Sequence, residues 1–277
     1  MKKRSAGSII FLSIVLVVLY LPIVVVVVYS FNANTARIPL AFTGWSTHWY
    51  HELFFGRNQI GQALLLSLNV AFWSVLISSV IGTLGAIGMA QRTLNEKRKS
   101  SRMDTVMESL AVLPIMIPEI ILGLAFLVLF NAAGFQGNEL RLILAHTTFC
   151  IPYVFLTVKS QLVGMDTALF DAARDLGASP FRVLLDITLP LCRPAIISGA
   201  FLALAMSLDD FVISFFVYGA GQGTLPILIY SSVKVGVSPQ INALCTLMIG
   251  LVFTLVAFGR YISSLRSVQR KYVSARS

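Results

Sequence analysis

Asp166-Thr-Ala-Leu-Phe-Asp171-Ala-Ala-Arg-Asp-Leu-Gly177-Ala-Ser-Pro-Phe-Arg-Val-Leu-Leu-Asp-Ile187-Thr-Leu-Pro190 is the longest amphipathic, charge-bearing stretch in an otherwise apolar chain. It reads as two short helices joined by a turn. Asp166 N-caps the first, offering a side-chain oxygen to the free N–H groups. Leu169, Ala172, Ala173 and Leu176 then recur at helical spacing along one face. Gly177 ends that helix, where a positive φ is usually required. Ser179-Pro180 opens the second helix, with Ser as N-cap and Pro as its first residue. Phe181, Leu184 and Leu185 form its apolar side, and Pro190 and Pro194 limit its continuation. A compact helical knob of this kind, set between two apolar runs, suits docking into a partner.

The surrounding composition is that of a polytopic membrane protein. Of 277 residues, 57% are hydrophobic and only 12% charged, against about a quarter charged in soluble domains. Six apolar runs are long enough to cross a bilayer. They cover about residues 7–31, 62–89, 106–130, 142–158, 195–217 and 239–259. The first follows Lys2-Lys3-Arg4 and is too long for a signal-peptide core, which makes it an uncleaved span. Pro114 and Pro118 interrupt the third. Trp45, Trp49 and Tyr50, in the polar segment after the first span, favour the membrane–water interface. His48 and His51 lack the further ligands that a metal site needs, and Cys150, Cys192 and Cys245 form no CxxC pair. Free thiols and no metal are the expectation.

Charge placement sets the orientation. With six spans, the N-terminus, the second–third loop, the knob and the C-terminal tail share one side. They carry 17 of the 21 Lys and Arg residues; Arg37, Arg57, Arg141 and Lys234 are the remainder. The positive-inside rule puts both termini and the knob in the cytoplasm. It also accounts for the net charge of +9 without nucleic acid. No GxxxxGK[ST] phosphate loop is present, so no ATP site of that kind is built by this chain.

Three acids fall within the spans: Glu119, Asp209 and Asp210. A carboxylate at mid-bilayer costs roughly 2.5–3.5 kcal/mol on insertion scales, and such residues usually face a pathway or a bundle interior. On continuous helices, Glu119 and Asp209 would each lie roughly 20 Å from the cytoplasmic end. Asp209 and Asp210 point about 100° apart on one helix. One of them lines a path while the other holds a structural partner. Acids without Lys or Arg in the same spans suit a cation with several amines. His146, alone in the fourth span, reads as a packing residue. Adjacent aspartates that diverge make a poor catalytic dyad, and no HExxH or GxSxG motif supports an enzyme.

Asp171-Ala172-Ala173, Gly177 and Ile187-x-Leu189-Pro190 resemble the Glu-Ala-Ala ("EAA") loop of ABC-importer permeases, with Asp171 standing where that family usually has Glu. Further stretches resemble the spermidine/putrescine importer permeases, their C-type subunit above all. These include Met206-Ser-Leu-Asp-Asp-Phe-Val-Ile-Ser214, Thr224-Leu-Pro226, Ile229-Tyr-Ser-Ser-Val-Lys-Val-Gly-Val-Ser-Pro239 and His146-Thr-Thr-Phe-Cys150. Leu21-Pro-Ile, Ser30-Phe-Asn32 and Trp45-Ser-Thr-His-Trp-Tyr50 belong to the same likeness, which spans nearly the whole chain. Gln240 departs from it, standing where an acid usually follows Ser-Pro.

The resemblance implies an all-α membrane protein with the type I importer permease fold and a cytoplasmic coupling helix. It implies a bacterial inner-membrane location, a second permease subunit, two ATPase subunits and an external polyamine-binding protein. ATP and Mg would be bound by the ATPase partner, and none by this chain. By motif position it adds Tyr230 and Lys234 to Glu119, Asp209 and Asp210 as path residues. Residues 1–61 would form an anchor helix and external loop, 62–259 a core with the coupling loop at 166–194, and 260–277 a basic tail. The alternatives are a permease of the same class for another small solute, and a stand-alone ion-coupled carrier. The carrier reading calls for broken helices in corresponding halves, and only one such break is evident in the sequence.

Overall fold

The computed structural model describes residues 6–34, 41–56, 59–93, 102–219, 221, 223–236, 238–251 and 253–254. The described residues form helices, with one isolated antiparallel bridge between Asn32 and Trp45. Hydrocarbon satisfies no peptide group, so a spanning segment must close its hydrogen bonds within itself. Four helical runs are long and apolar enough to cross: Gly7–Tyr29, Gln59–Ala90, Asn138–Val163 and Pro180–Asp209. They correspond to α1 (Ala6–Tyr29), α3 (Gln59–Thr93), α6 (Asn138–Val163) and a run ending in α9 (Leu189–Asp209). A bent pair, α4 (Arg102–Met116) and α5 (Glu119–Ala132), whose axes differ by 103°, makes a further crossing, third in chain order, so that the run ending in α9 is the fifth. Two shorter apolar helices follow, α11 (Leu225–Val235) and α12 (Pro239–Leu251). The last part of the sixth expected span lies outside the described residues. So do the N-terminal Lys2, Lys3 and Arg4, the loop residues Lys97, Arg98 and Lys99, and the tail at 260–277.

The chain divides into two compact units, one of them Gln62–Leu228 and the other drawn from 1–61 and 229–277. In the first, α6 is the central helix, with α9 packed along it and α4 beside it. Lipid gives helices no hydrophobic reason to associate, so close approach and hydrogen bonds hold them. Glycines provide the approach. A Cβ on Gly82 of α3 would lie 2.9 Å from Val154 Cβ, and one on Gly199 of α9 would lie 2.9 Å from Val154 Cα. Val154 of α6 is thus gripped from two sides and fully buried. Hydrogen bonds add to this contact: Ser74 Oγ of α3 donates to Ile143 O at 3.1 Å, and Cys150 Sγ of α6 donates to Ala203 O at 3.4 Å. Lys159 near the end of α6 pairs with Glu108 of α4.

Three expectations need correction. The third span is not one straight helix. Pro114 is accommodated inside α4, but the chain turns at Ile117-Pro118, because Pro disfavours helical backbone in the residue before it. The depth expected for Glu119, which assumed a continuous rise from Val106, therefore fails. The fifth span also breaks. Asp210 is extended (φ −64°, ψ 119°), and a six-residue helix, α10 (Val212–Val217), follows. Asp209 and Asp210 therefore do not sit on one uninterrupted helix. Lastly, the second helix of the knob stops at neither Pro190 nor Pro194. Pro180–Arg182 (α8) passes through a π-helical stretch, Val183–Thr188, straight into α9. The wider π register tolerates the missing Pro190 N–H: Leu189 N–H reaches back five residues to Leu184 O, and Thr188 Oγ1 donates to Val183 O at 3.1 Å.

In the other unit, α1 leads to a small polar and aromatic knot. Asn32 is fully buried; its Oδ1 accepts from Thr43 N–H at 3.0 Å and its Nδ2 donates to Ala41 O at 3.0 Å. Trp49 Nε1 of α2 (His48–Phe55) donates to Asn32 O at 2.9 Å, and Ser30 Oγ and Tyr50 Oη share a 2.6 Å hydrogen bond. His48 faces Glu52 at 3.6 Å, and His51 lies against the Phe55 ring.

The glycine contacts give a first prediction. Gly199→Val or Gly82→Val overpacks the α6 contact, costing about 1–3 kcal/mol. Gly88→Ala, where nothing lies within 4 Å of the new Cβ, leaves stability unchanged or raised. Thermal unfolding of the purified protein in detergent separates the two classes.

Candidate functional site

The knob opens with α7 (Ala168–Asp175). Asp166 performs the expected capping, accepting the Ala168 N–H on Oδ1 at 2.9 Å. Gly177 has φ +82° and forms the C-terminal stop with two backbone bonds. Ala178 N–H donates to Ala173 O at 3.0 Å and Gly177 N–H to Arg174 O at 2.9 Å, the paired pattern of a Schellman motif. Ser179 then N-caps the next turn, its Oγ accepting from Arg182 N–H at 3.4 Å. Asp171 and Ala172 are exposed and Ala173 is half-buried. Asp171 Oδ1 lies 3.4 Å from Arg174 Nη1 one turn on. Ile187, Leu189 and Pro190 are half-buried where the π-helical stretch meets α9. Several of the knob's apolar side chains stand exposed among the described residues, Leu176 at 89% and Phe181 at 67%, whereas Val183 is buried.

The three acids occupy two different environments. Glu119 is the first residue of α5, immediately beyond the Pro118 bend, and is exposed. Asp209 is the last residue of α9 and is also exposed. Asp210 is buried and serves the backbone. Its Oδ1 accepts from Ile213 N–H at 3.2 Å, and its Oδ2 accepts from Ser214 N–H at 2.8 Å and the Ser214 hydroxyl at 2.7 Å. The carboxylate therefore satisfies the free N–H groups at the start of α10. His146 of α6 meets this group, with Nε2 2.9 Å from Ser214 Oγ and 3.4 Å from Asp210 Oδ2, and Nδ1 2.8 Å from Ser207 Oγ. A lone histidine in the sequence thus has three partners in the fold.

Tyr230 and Lys234 belong to the other unit. They stand one turn apart on α11, with Lys234 Nζ 4.8 Å from the centre of the Tyr230 ring. Both are exposed. The structure brings Asp210 together with His146, Ser207 and Ser214. It leaves Glu119 and Asp209 at two separate helix breaks. Sequence reasoning missed Ser207 and Ser214. Their spacing with Asp210, at positions i, i+3 and i+7 of an apolar run, was the available signal. The Lys159–Glu108 pair, 51 residues apart, left no such trace.

Comparison with known proteins places this architecture. Residues 82–270 match the family model "Binding-protein-dependent transport system inner membrane component". The spermidine/putrescine transport system permease protein PotC of Haemophilus influenzae is 38% identical over 253 residues, covering 91% of this chain and 95% of that protein. The putrescine transport system permease protein PotI of Escherichia coli is 38% identical over 273 residues, covering 96% of this chain and 94% of that protein. Among solved structures, a bacterial ABC transporter involved in import of the polysaccharide alginate superposes with a TM-score of 0.69 at 14% identity, over 94% of this chain and 99% of that one. That last likeness concerns the fold alone. The chain belongs to the family of binding-protein-dependent transport system inner membrane components, and is a multi-pass inner-membrane permease subunit of an ABC importer whose ATP hydrolysis resides in a separate partner.

Proposed function

We propose that this permease moves polyamines, spermidine or putrescine, into the cytoplasm by alternating access. The observation that carries the substrate class is the 38% identity, sustained over more than nine-tenths of the chain, to permeases named for those cations. The two exposed acids, Glu119 and Asp209, agree with it. Each stands at a helix break with its side chain exposed, so its carboxylate is open to an ammonium group. Contacts along the path are weak and transient, because a tight site would stall release. Asp210 takes no part in cation contact in this reading; its carboxylate is spent on α10. Tyr230 and Lys234 remain candidates for a gate.

The working assembly pairs this chain with a second permease subunit, two ATPase subunits and an external polyamine-binding protein. The exposed apolar side chains Leu169, Leu176, Phe181 and Leu185 form the surface that enters the ATPase, with Asp171 and Arg174 at its edge. Both termini lie in the cytoplasm, a reading supported by the distribution of Lys and Arg.

Three outcomes test this. In cells lacking the chain, restoring it restores uptake of labelled spermidine or putrescine, while Glu119→Gln with Asp209→Asn cuts that uptake by about tenfold or more, the rate equivalent of ~1.4 kcal/mol. Undiminished uptake in the double variant removes the acids from the path. Gly177→Pro removes the N–H bonded to Arg174 O and forbids the positive φ. It abolishes uptake while the protein still reaches the membrane, and full rescue by that variant would reject the docking role. A C-terminal fluorescent-protein fusion is bright and a C-terminal alkaline phosphatase fusion inactive; the reverse pattern overturns the orientation.

A further inference from the structure

One imidazole spans the break in the fifth crossing. Ser207 lies in α9, one turn before the break, and Ser214 lies in α10, just after it. His146 reaches both from α6. The hydrogen of the Ser214 hydroxyl is committed to Asp210 Oδ2. Ser214 Oγ therefore accepts from His146 Nε2–H, and Nδ1 shares its hydrogen bond with the Ser207 hydroxyl. Each side-chain polar atom in this network has a partner, and His146, Ser207 and Ser214 are each at most 4% exposed. Such a closed network fixes the angle between α9 and α10 more tightly than apolar packing alone.

The consequence reaches both exposed acids. Asp209 is the residue at which α9 stops, so its direction follows from the backbone turn that the network holds. α10 is in turn packed on α5: a Cβ on Gly123 would lie 2.9 Å from Phe216 Cδ2 and 3.4 Å from Ile213 Cα. Glu119 begins α5, one turn before Gly123. Fixing α10 thus fixes the helix whose first residue is Glu119.

We infer that His146 is a positioning residue for transport: through Ser207, Ser214 and Asp210 it locks the break in the fifth crossing and sets where the Asp209 and Glu119 carboxylates stand. This rests on the reading of those two acids as path residues. The test is a double-mutant cycle in the complete importer, reconstituted in proteoliposomes, with labelled spermidine uptake measured per correctly folded transporter. His146→Leu cuts uptake about tenfold to a hundredfold, the scale of a misplaced contact group. His146→Gln, which keeps an N–H for Ser214, recovers part of it. In the Glu119→Gln, Asp209→Asn background, His146→Leu has little further effect, because there are no carboxylates left to place. Ser207→Ala severs one arm only and carries the same comparison if His146→Leu does not accumulate. Equal fold losses in the two backgrounds overturn the positioning role and leave His146 a packing residue. Unchanged uptake in Glu119→Gln, Asp209→Asn alone removes the path reading itself, and this inference with it.

Discussion

A peptide N–H inside a bilayer has no water to turn to, and this constraint governs where the spans of the permease can break. The two breaks among its described helices meet it in opposite ways. At Ile117-Pro118 the chain removes a donor: Pro118 has no N–H, and its carbonyl accepts from Ile121 and Leu122 as α5 begins. At Asp210 the chain supplies an acceptor, and one carboxylate takes the N–H groups of Ile213 and Ser214. Glu119 and Asp209 owe their exposure to these two solutions. Each is adjacent to the residue that makes its break possible.

Packing in the core follows the same logic of scarce interactions. Lipid tails are as apolar as leucine, so helices gain little by hiding leucine from them. What holds α6 to its neighbours is close backbone approach at Gly82 and Gly199, together with hydrogen bonds from Ser74, Cys150 and His146. A buried imidazole that would be costly unpaired becomes a tie between three helices once each nitrogen has a partner. The exposed leucines and phenylalanines on the outer faces of α1, α3 and α5 need no explanation beyond the solvent they meet.

Much of this was legible beforehand because it is local. The apolar runs, the Gly177 stop, the Ser179 cap and the Asp166 contact each depend on neighbours within a few residues. The breaks were harder. Two prolines were visible in the third crossing, yet only Pro118 bends it, because Pro114 fits within α4. The break at Asp210 carries no proline at all; there the carboxylate meets His146 of α6 and Ser214, and His146 in turn meets Ser207. Likewise, Pro190 marked a helix end by local rules, and the π-helical widening at Val183–Thr188 overrode it. Periodicity predicts helices well, but it cannot foresee which side chains from another helix will make an irregular backbone tolerable.

That widening joins the knob's second helix and the fifth crossing into one continuous helical run. From Pro180 to Asp209 the helical run holds 30 residues, about 45 Å at the usual rise, against roughly 30 Å of hydrocarbon. A run of that length is longer than the hydrocarbon is thick, so one rigid helix would link the knob end to the residues around Asp209. A tilt of about 10° around its midpoint would carry each end through about 4 Å. Had Pro190 ended the helix, a flexible joint would have absorbed that displacement before it reached the carboxylate of Asp209.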